Sequence, residues 1–273
     1  PAPPPTLARS ASYPVPAPPP RQPAAVLHRA IGAPPAPELA VRLAARNPAT
    51  LPRGGVAALT RAHDFSDLQS FLTLYYACMD VLRTAEDFAD LAHAYLARAQ
   101  ADGVTHVEMF FDPQAHLRRG VSLAEVMAGL ETAAREAPVR YGISVILIVC
   151  FLRDRPAREA LNTLEALAPY TRSIHAVGLD SAEVGHPPID FKEVFEAASQ
   201  MGLRRVAHAG EDGLPDYIWQ ALDVLGVERI DHVIQAIEDP SSVRGLAVDQ
   251  VPPPVDSRLN VRTRCVVPMP NHP

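Results

Sequence analysis

The sequence predicts an α/β protein built as a parallel barrel, and three observations predict it. Apolar stretches of strand length alternate with amphipathic stretches of helix length between residues 104 and 230. The stretch 143–151 is apolar throughout, as a parallel strand is when both its faces are covered. Two stretches run into polar clusters, His208-Ala209-Gly210-Glu211 and Arg229-Ile230-Asp231-His232, and a parallel barrel carries its chemistry at the C-terminal ends of its strands.

Taken in order, residues 39–100 read as helical. Leu39, Leu43 and Ala44 mark a first face, and Phe65, Leu68, Phe71, Leu72, Tyr75 and Tyr76 a second. Thr84 with Asp87 forms an N-terminal cap for a helix over 87–100, and Gly103 ends it. A strand is expected over 104–111. Ser122 with Glu125 has the spacing of a capping box for a helix to about Glu136. The strand 143–151, a helix over 156–168 and a strand over 174–179 follow. Asp190 with Glu193 is expected to cap a helix over 191–201. The strands 203–207 and 227–230 then flank a helix whose buried face is Tyr217, Ile218, Ala221, Leu222 and Leu225. Consecutive strands of a barrel lie side by side, so Asp180, His208 and His232 should ring one mouth.

Composition narrows the functional class. A chain of 273 residues suffices for one barrel domain. Its hydrophobic content is 48% and its net charge −6, which argues for a globular body and against nucleic acid as a partner. No apolar run is long enough to span a bilayer. Cys78, Cys150 and Cys265 are too widely spaced for a disulfide framework or a Cys-x-x-Cys metal site, which fits a reducing, cytoplasmic setting. Of 29 prolines, 13 precede Glu38. Residues 1–25 therefore read as a disordered Pro-rich tail, 26–250 as the barrel domain and 251–273 as a degenerate, poorly ordered segment.

A His and a Glu three residues apart at one strand end can set a metal ligand beside a proton shuttle, and a second His from the next strand can face the same water. That is a hydrolytic site in outline. The segments THVEMFFDPQAH (105–116), GISVILIVCFLR (142–153), VGLDSAEVGHPPIDF (177–191), VAHAGEDG (206–213) and RIDHVIQAIEDP (229–240) resemble, in order and spacing, the adenosine/adenine deaminase family of metal-dependent hydrolases, closest to its adenine deaminase branch. The resemblance implies a (β/α)8 TIM-type barrel of the metal-dependent hydrolase class. It also implies one zinc ion and hydrolysis of the small purine adenine to hypoxanthine and ammonia. By the same resemblance His208 is a zinc ligand, Glu211 the proton donor and His232 the residue that positions the water on the metal. Asp180 and Glu183 border the substrate. A Gly stands at the Glu183 position in the nucleoside-cleaving branch, so a Glu here fills space that a ribose would need and favours the free base.

The chain also departs from the family's pattern. Of the His-x-His pair on the first strand, His28 matches the first zinc ligand, whereas Ala30 stands in place of the second and Gly32 in place of an acidic residue. Pro252, Pro253 and Pro254 fall where an inner strand belongs. No Asp-Asp pair follows residue 240, Asp249 and Asp256 being isolated. The barrel is accordingly expected to be incomplete, with strands 7 and 8 degenerate or missing through truncation or a shifted reading frame. Two zinc ligands where such sites ordinarily have three or more imply weak metal binding and slow or absent deamination. The rival expectations are therefore an inactive remnant or pseudoenzyme with a purine-binding or scaffold role, and an amidohydrolase whose missing ligands come from a partner subunit.

Overall fold

The structure, a computed structural model, describes residues 26–30, 37–47, 51, 55–62 and 67–248. The expected tail over 1–25, Gly32, Phe65, Asp249 and the whole segment 251–273, with its prolines, Asp256 and Cys265, lie outside the described residues.

Six strands alternate with helices. Strand β1 (Val26–Ala30) is followed by α1 (Pro37–Arg46), α2 (Gly55–Ala62), α3 (Leu68–Met79) and α4 (Ala85–Ala101). Then come β2 (His106–Phe111), α5 (Pro113–Leu117), α6 (Leu123–Tyr141), β3 (Ser144–Leu152) and α7 (Ala157–Ala166). The series closes with β4 (Ile174–Asp180), α8 (Lys192–Gln200), β5 (Arg204–Ala209), α9 (Pro215–Trp219), β6 (Arg229–His232) and α10 (Pro240–Val248). Among the described residues no helix is long and apolar enough to cross a membrane.

Local chemistry sets several boundaries. Thr84 accepts the N–H of Asp87 while Asp87 accepts that of Thr84, the reciprocal cap expected at the start of α4. Asp87 also takes the side chains of Arg46 (2.7 Å) and Asn47 (2.6 Å), which ties α1 to α4. Ser122 caps α6, but the expected partner does not return the bond: the Glu125 carboxylate accepts the N–H of Ala85 instead (2.5 Å). The α4 N-terminus offers an unsatisfied donor close by, and the acidic group goes there. Helix α6 outruns its expected end through Pro138 and stops where Gly142 turns left-handed (φ 69°). Asp190 makes no cap for α8, because residues Pro188–Phe191 already form a tight 3-10 turn that leads into the helix. The expected helix over 217–225 is present, but after α9 it widens into a π-turn over Gln220–Val224.

The sheet order is β1-β2-β3-β4-β5-β6, each strand parallel to its neighbour. Its shape follows from one contact. In a flat sheet β2 and β6 would lie about 19 Å apart, at roughly 4.8 Å per strand. Instead Arg229 on β6 donates a hydrogen bond to the Glu108 carboxylate on β2, its guanidinium lies 5.5 Å from the Phe110 ring centroid, and Phe110 meets His208 of β5 at 5.7 Å. The sheet is therefore curled into a partial barrel, with alternate residues pointing inward. Phe110, Ile148, Cys150, Ala176 and Val206 form a small core inside the curl. The intervening residues, such as Val107, Met109, Val149, Phe151, Val177 and Ala207, join the larger core beneath the helices. Gly178 belongs to the inner set, since a Cβ there would stand 2.5 Å from Cys150 Sγ.

Candidate active site

Three strands run further into their polar tips than expected: β4 includes Asp180, β5 includes His208, and β6 includes Asp231 and His232. The upper interior of the curl is polar, so inward positions there carry ionisable groups without ending the strand. His208 lies within β5, paired in register with Asp231, and Ala209 pairs with His232. The His208 and His232 rings meet edge to face at 5.0 Å. Glu211 follows β5, and its Oε1 is 3.6 Å from His232 Nδ1. The sequence thus places His208, Glu211 and His232 at one strand end, and the structure brings their side chains together there.

Electrostatics fixes the state of His208. Burial, followed by the charges of His232, Arg153 and Arg229, holds its pKa well below 6.5, so the imidazole is neutral and can offer a lone pair. Its Nε2 lies 3.8 Å from Asp231 Oδ2. Asp231 in turn accepts from Arg229 Nε at 3.0 Å. The non-glycine residues with left-handed backbone, among those described, are Ser181 (φ 74°), His232 (φ 77°) and Val233 (φ 48°). All follow or end strands at this mouth, where strained backbone of this kind collects.

Asp180 joins a second cluster that sequence reasoning did not assemble. Oxygens of Asp112 and Asp180 and the sulfur of Cys150 all lie within 4.8 Å of one another and are buried. Burial pushes the pKa of both carboxyls up, Asp180 well above the ordinary range, and the pair shares a hydrogen bond. The two carboxyls therefore sit where they can share a proton. Tyr75 Oη donates to Asp112 Oδ2, at 3.1 Å. Oδ1 of each carboxyl is left without a partner. The signal available in the sequence was positional: Asp112 follows β2 directly, as Asp180 ends β4.

Glu183, expected at the substrate, points its carboxylate into a turn of main chain. Oε1 accepts the N–H of Gly210 (2.6 Å), and Oε2 accepts those of Glu211 (2.8 Å), Asp212 (3.1 Å) and Gly213 (3.1 Å). Arg153, fully buried at the end of β3, comes within 3.8 Å of Glu183 Oε1. It donates to the carbonyls of His208 and His186, both at 2.9 Å. His28 lies on β1, in register with Glu108 of β2, and Ala30 is opposite Phe110.

A curled parallel sheet that gathers histidines, carboxylates and a buried arginine at its C-terminal strand ends defines an α/β-barrel hydrolase. The chain belongs to the adenosine deaminase family, whose sequence model matches residues 23–273. An adenine deaminase from Streptomyces coelicolor is 55% identical over 251 residues, which are 92% of this chain and 74% of that one. The crystal structure of an adenine deaminase from Arthrobacter aurescens superposes with a TM-score of 0.87 at 46% identity, covering 90% of this chain and 75% of its own. An amidohydrolase from Burkholderia ambifaria, solved with bound Zn, gives a TM-score of 0.77 at 27% identity over 84% of this chain and 64% of its own.

Proposed function

We propose that this chain hydrolyses adenine to hypoxanthine and ammonia with the help of one zinc ion. The observation that carries the reading is the meeting of His208, Glu211 and His232 at one strand end. The family membership and the names of close relatives support it, and they weigh against the inactive-remnant reading.

The donors present fit zinc in kind. His208 is neutral, the form that ligates, a carboxylate of Asp231 is 3.8 Å from it, and His28 sits on the strand that borders β2. In this reading His208 and His28 hold the ion. Zinc, when bound, lowers the pKa of water so that hydroxide is available near neutral pH.

The remaining work belongs to the protein. Glu211 donates a proton to the ring nitrogen beside the amino-bearing carbon and so makes that carbon electrophilic. His232, 3.6 Å from Glu211, orients the water that attacks. The Glu211 carboxylate then takes the proton of the hydroxyl that has added to that carbon and passes it to the departing amine, so that the carbonyl forms as the carbon–nitrogen bond breaks and ammonia leaves. Asp180 borders the substrate in this reading, with Asp112 beside it. Glu183 is held by four main-chain bonds, and the volume it occupies is denied to a ribose, which favours the free base. The domain spans residues 26–250. A cytoplasmic setting is consistent with the unpaired, buried Cys78 and Cys150.

The test is ammonia release by the purified, zinc-supplied chain. Turnover of adenine well above that of adenosine, abolished in Glu211→Gln, supports the reading. A zinc-loaded protein that releases no ammonia from adenine refutes it.

A further inference from the structure

We propose that Glu183 and Arg153 are positioning residues that set the place of Glu211; this deepens the reading of the site given above. Successive main-chain N–H groups converging on one point make a concave anion-binding turn. Here the turn is residues 210–213, directly after β5, and the anion is a side chain of the same protein. An ionised carboxylate offers about four acceptor positions. Glu183 has four N–H donors at 2.6–3.1 Å and the Arg153 guanidinium at 3.8 Å, so its capacity is spent on the turn and little is left for a purine.

The turn is what carries Glu211. The N–H groups of Gly210 and Glu211 are held by Glu183, and on the other side Gln235 N donates to the Gly210 carbonyl at 2.8 Å. The peptide before Glu211 is therefore fixed from both faces. Arg153 extends the brace: it donates to the carbonyl of His208, lies 5.6 Å from the Tyr217 ring centroid, and supplies the charge that buried Glu183 needs. Gly213 completes the arrangement, because a Cβ there would stand 2.5 Å from Glu183 Cγ and 2.6 Å from its Cδ. Only a residue without a side chain lets the carboxylate reach the turn.

Two variants test the proposal. Glu183→Gln replaces one acceptor oxygen by an NH2 group that faces N–H donors. Gly213→Ala leaves Glu183 in place but pushes its carboxylate out. Amide hydrogen exchange is followed in the metal-free protein, and steady-state kinetics on adenine in the zinc-supplied protein. Both variants should raise exchange in 210–213 about tenfold or more, with β2 and β3 unchanged. Both should lower kcat by about 10- to 100-fold with KM held within about threefold, since misplacing a reacting group by about 1 Å costs on the order of 100-fold. Combined, they should do little more than either alone. A raised KM with kcat intact would overturn the proposal and return Glu183 to the substrate. Unchanged exchange in 210–213 would overturn it too, as would exchange rising equally in every strand. If the parent protein releases no ammonia, the proposed reaction fails, while the exchange experiment still decides whether Glu183 holds the turn.

Discussion

Gly178→Ala tests the packing on the inner face of the sheet, on which the site depends. Gly178 is on β4, and a Cβ there would meet Cys150 Sγ at 2.5 Å, Val206 Cγ2 at 3.4 Å and Ile148 Cγ2 at 3.7 Å. Those neighbours come from β3 and β5, so the added methyl group is enclosed from both sides. Unstrained contacts stand at about 3.5–4.0 Å, so the sulfur must retreat by about 1 Å in a region already buried. Overpacking of this kind costs roughly 1–3 kcal/mol. With a urea dependence of about 2 kcal/mol/M, the unfolding midpoint should fall by roughly 0.5–1.5 M. Cys150→Ala alone removes the sulfur and should cost about 1 kcal/mol. The double variant should recover most of the first loss, because the new methyl group occupies the space that the sulfur leaves. The assay is urea unfolding followed by circular dichroism on all four proteins. A coupling energy of at least about 1 kcal/mol is expected. Strict additivity would mean that Gly178 and Cys150 do not face each other across β3 and β4, and the reasoning would fail.

Three further outcomes are expected. Glu211→Gln should lower adenine turnover by about 100-fold or more while equilibrium binding of hypoxanthine, measured by calorimetry, changes little. Arg229→Met removes the cation held between buried Asp231 and Glu108, and breaking such a pair should cost about 3–5 kcal/mol, read as a lower thermal midpoint that Arg229→Met/Glu108→Gln partly restores. His116 is buried beside Arg119, and burial followed by that charge lowers its pKa to about 3. The folded value lies below the unfolded one, so its contribution is complete above about pH 6.5 and is lost as pH falls toward 3, at about 1.4 kcal/mol per pH unit. His116→Gln should flatten that part of the stability profile measured by urea unfolding at stepped pH.

The features that the sequence displayed were those whose cause is local. Apolar stretches and their polar tips announce β3, β5 and β6, because a strand that enters a barrel mouth changes from apolar to ionisable within one or two residues. His208, Glu211 and His232 stood out for that reason. The roles of Glu183, Arg153 and Asp112 were hidden because their partners are distant in the chain: Glu183 binds main chain 27–30 residues away, and Arg153 reaches the carbonyl of His208, 55 residues on. Glu125 shows the same limit. Its spacing from Ser122 is that of a reciprocal cap, yet its carboxylate serves Ala85, 40 residues earlier, since a capping motif records which groups are near in sequence and not which donor is left unsatisfied nearby. The chemistry of a main-chain turn is likewise silent in a sequence, because every residue carries the N–H.

The most direct measurement is a crystal structure of the zinc-supplied protein with hypoxanthine. The account predicts the product in the mouth of the curl, with the Glu211 carboxylate within hydrogen-bond distance of the ring nitrogen next to the oxygen-bearing carbon. Asp180 should meet the other edge of the ring, and Glu183 should still be bound to the N–H groups of 210–213. A purine seated away from Glu211, or one that takes the Glu183 carboxylate from the turn, would contradict it.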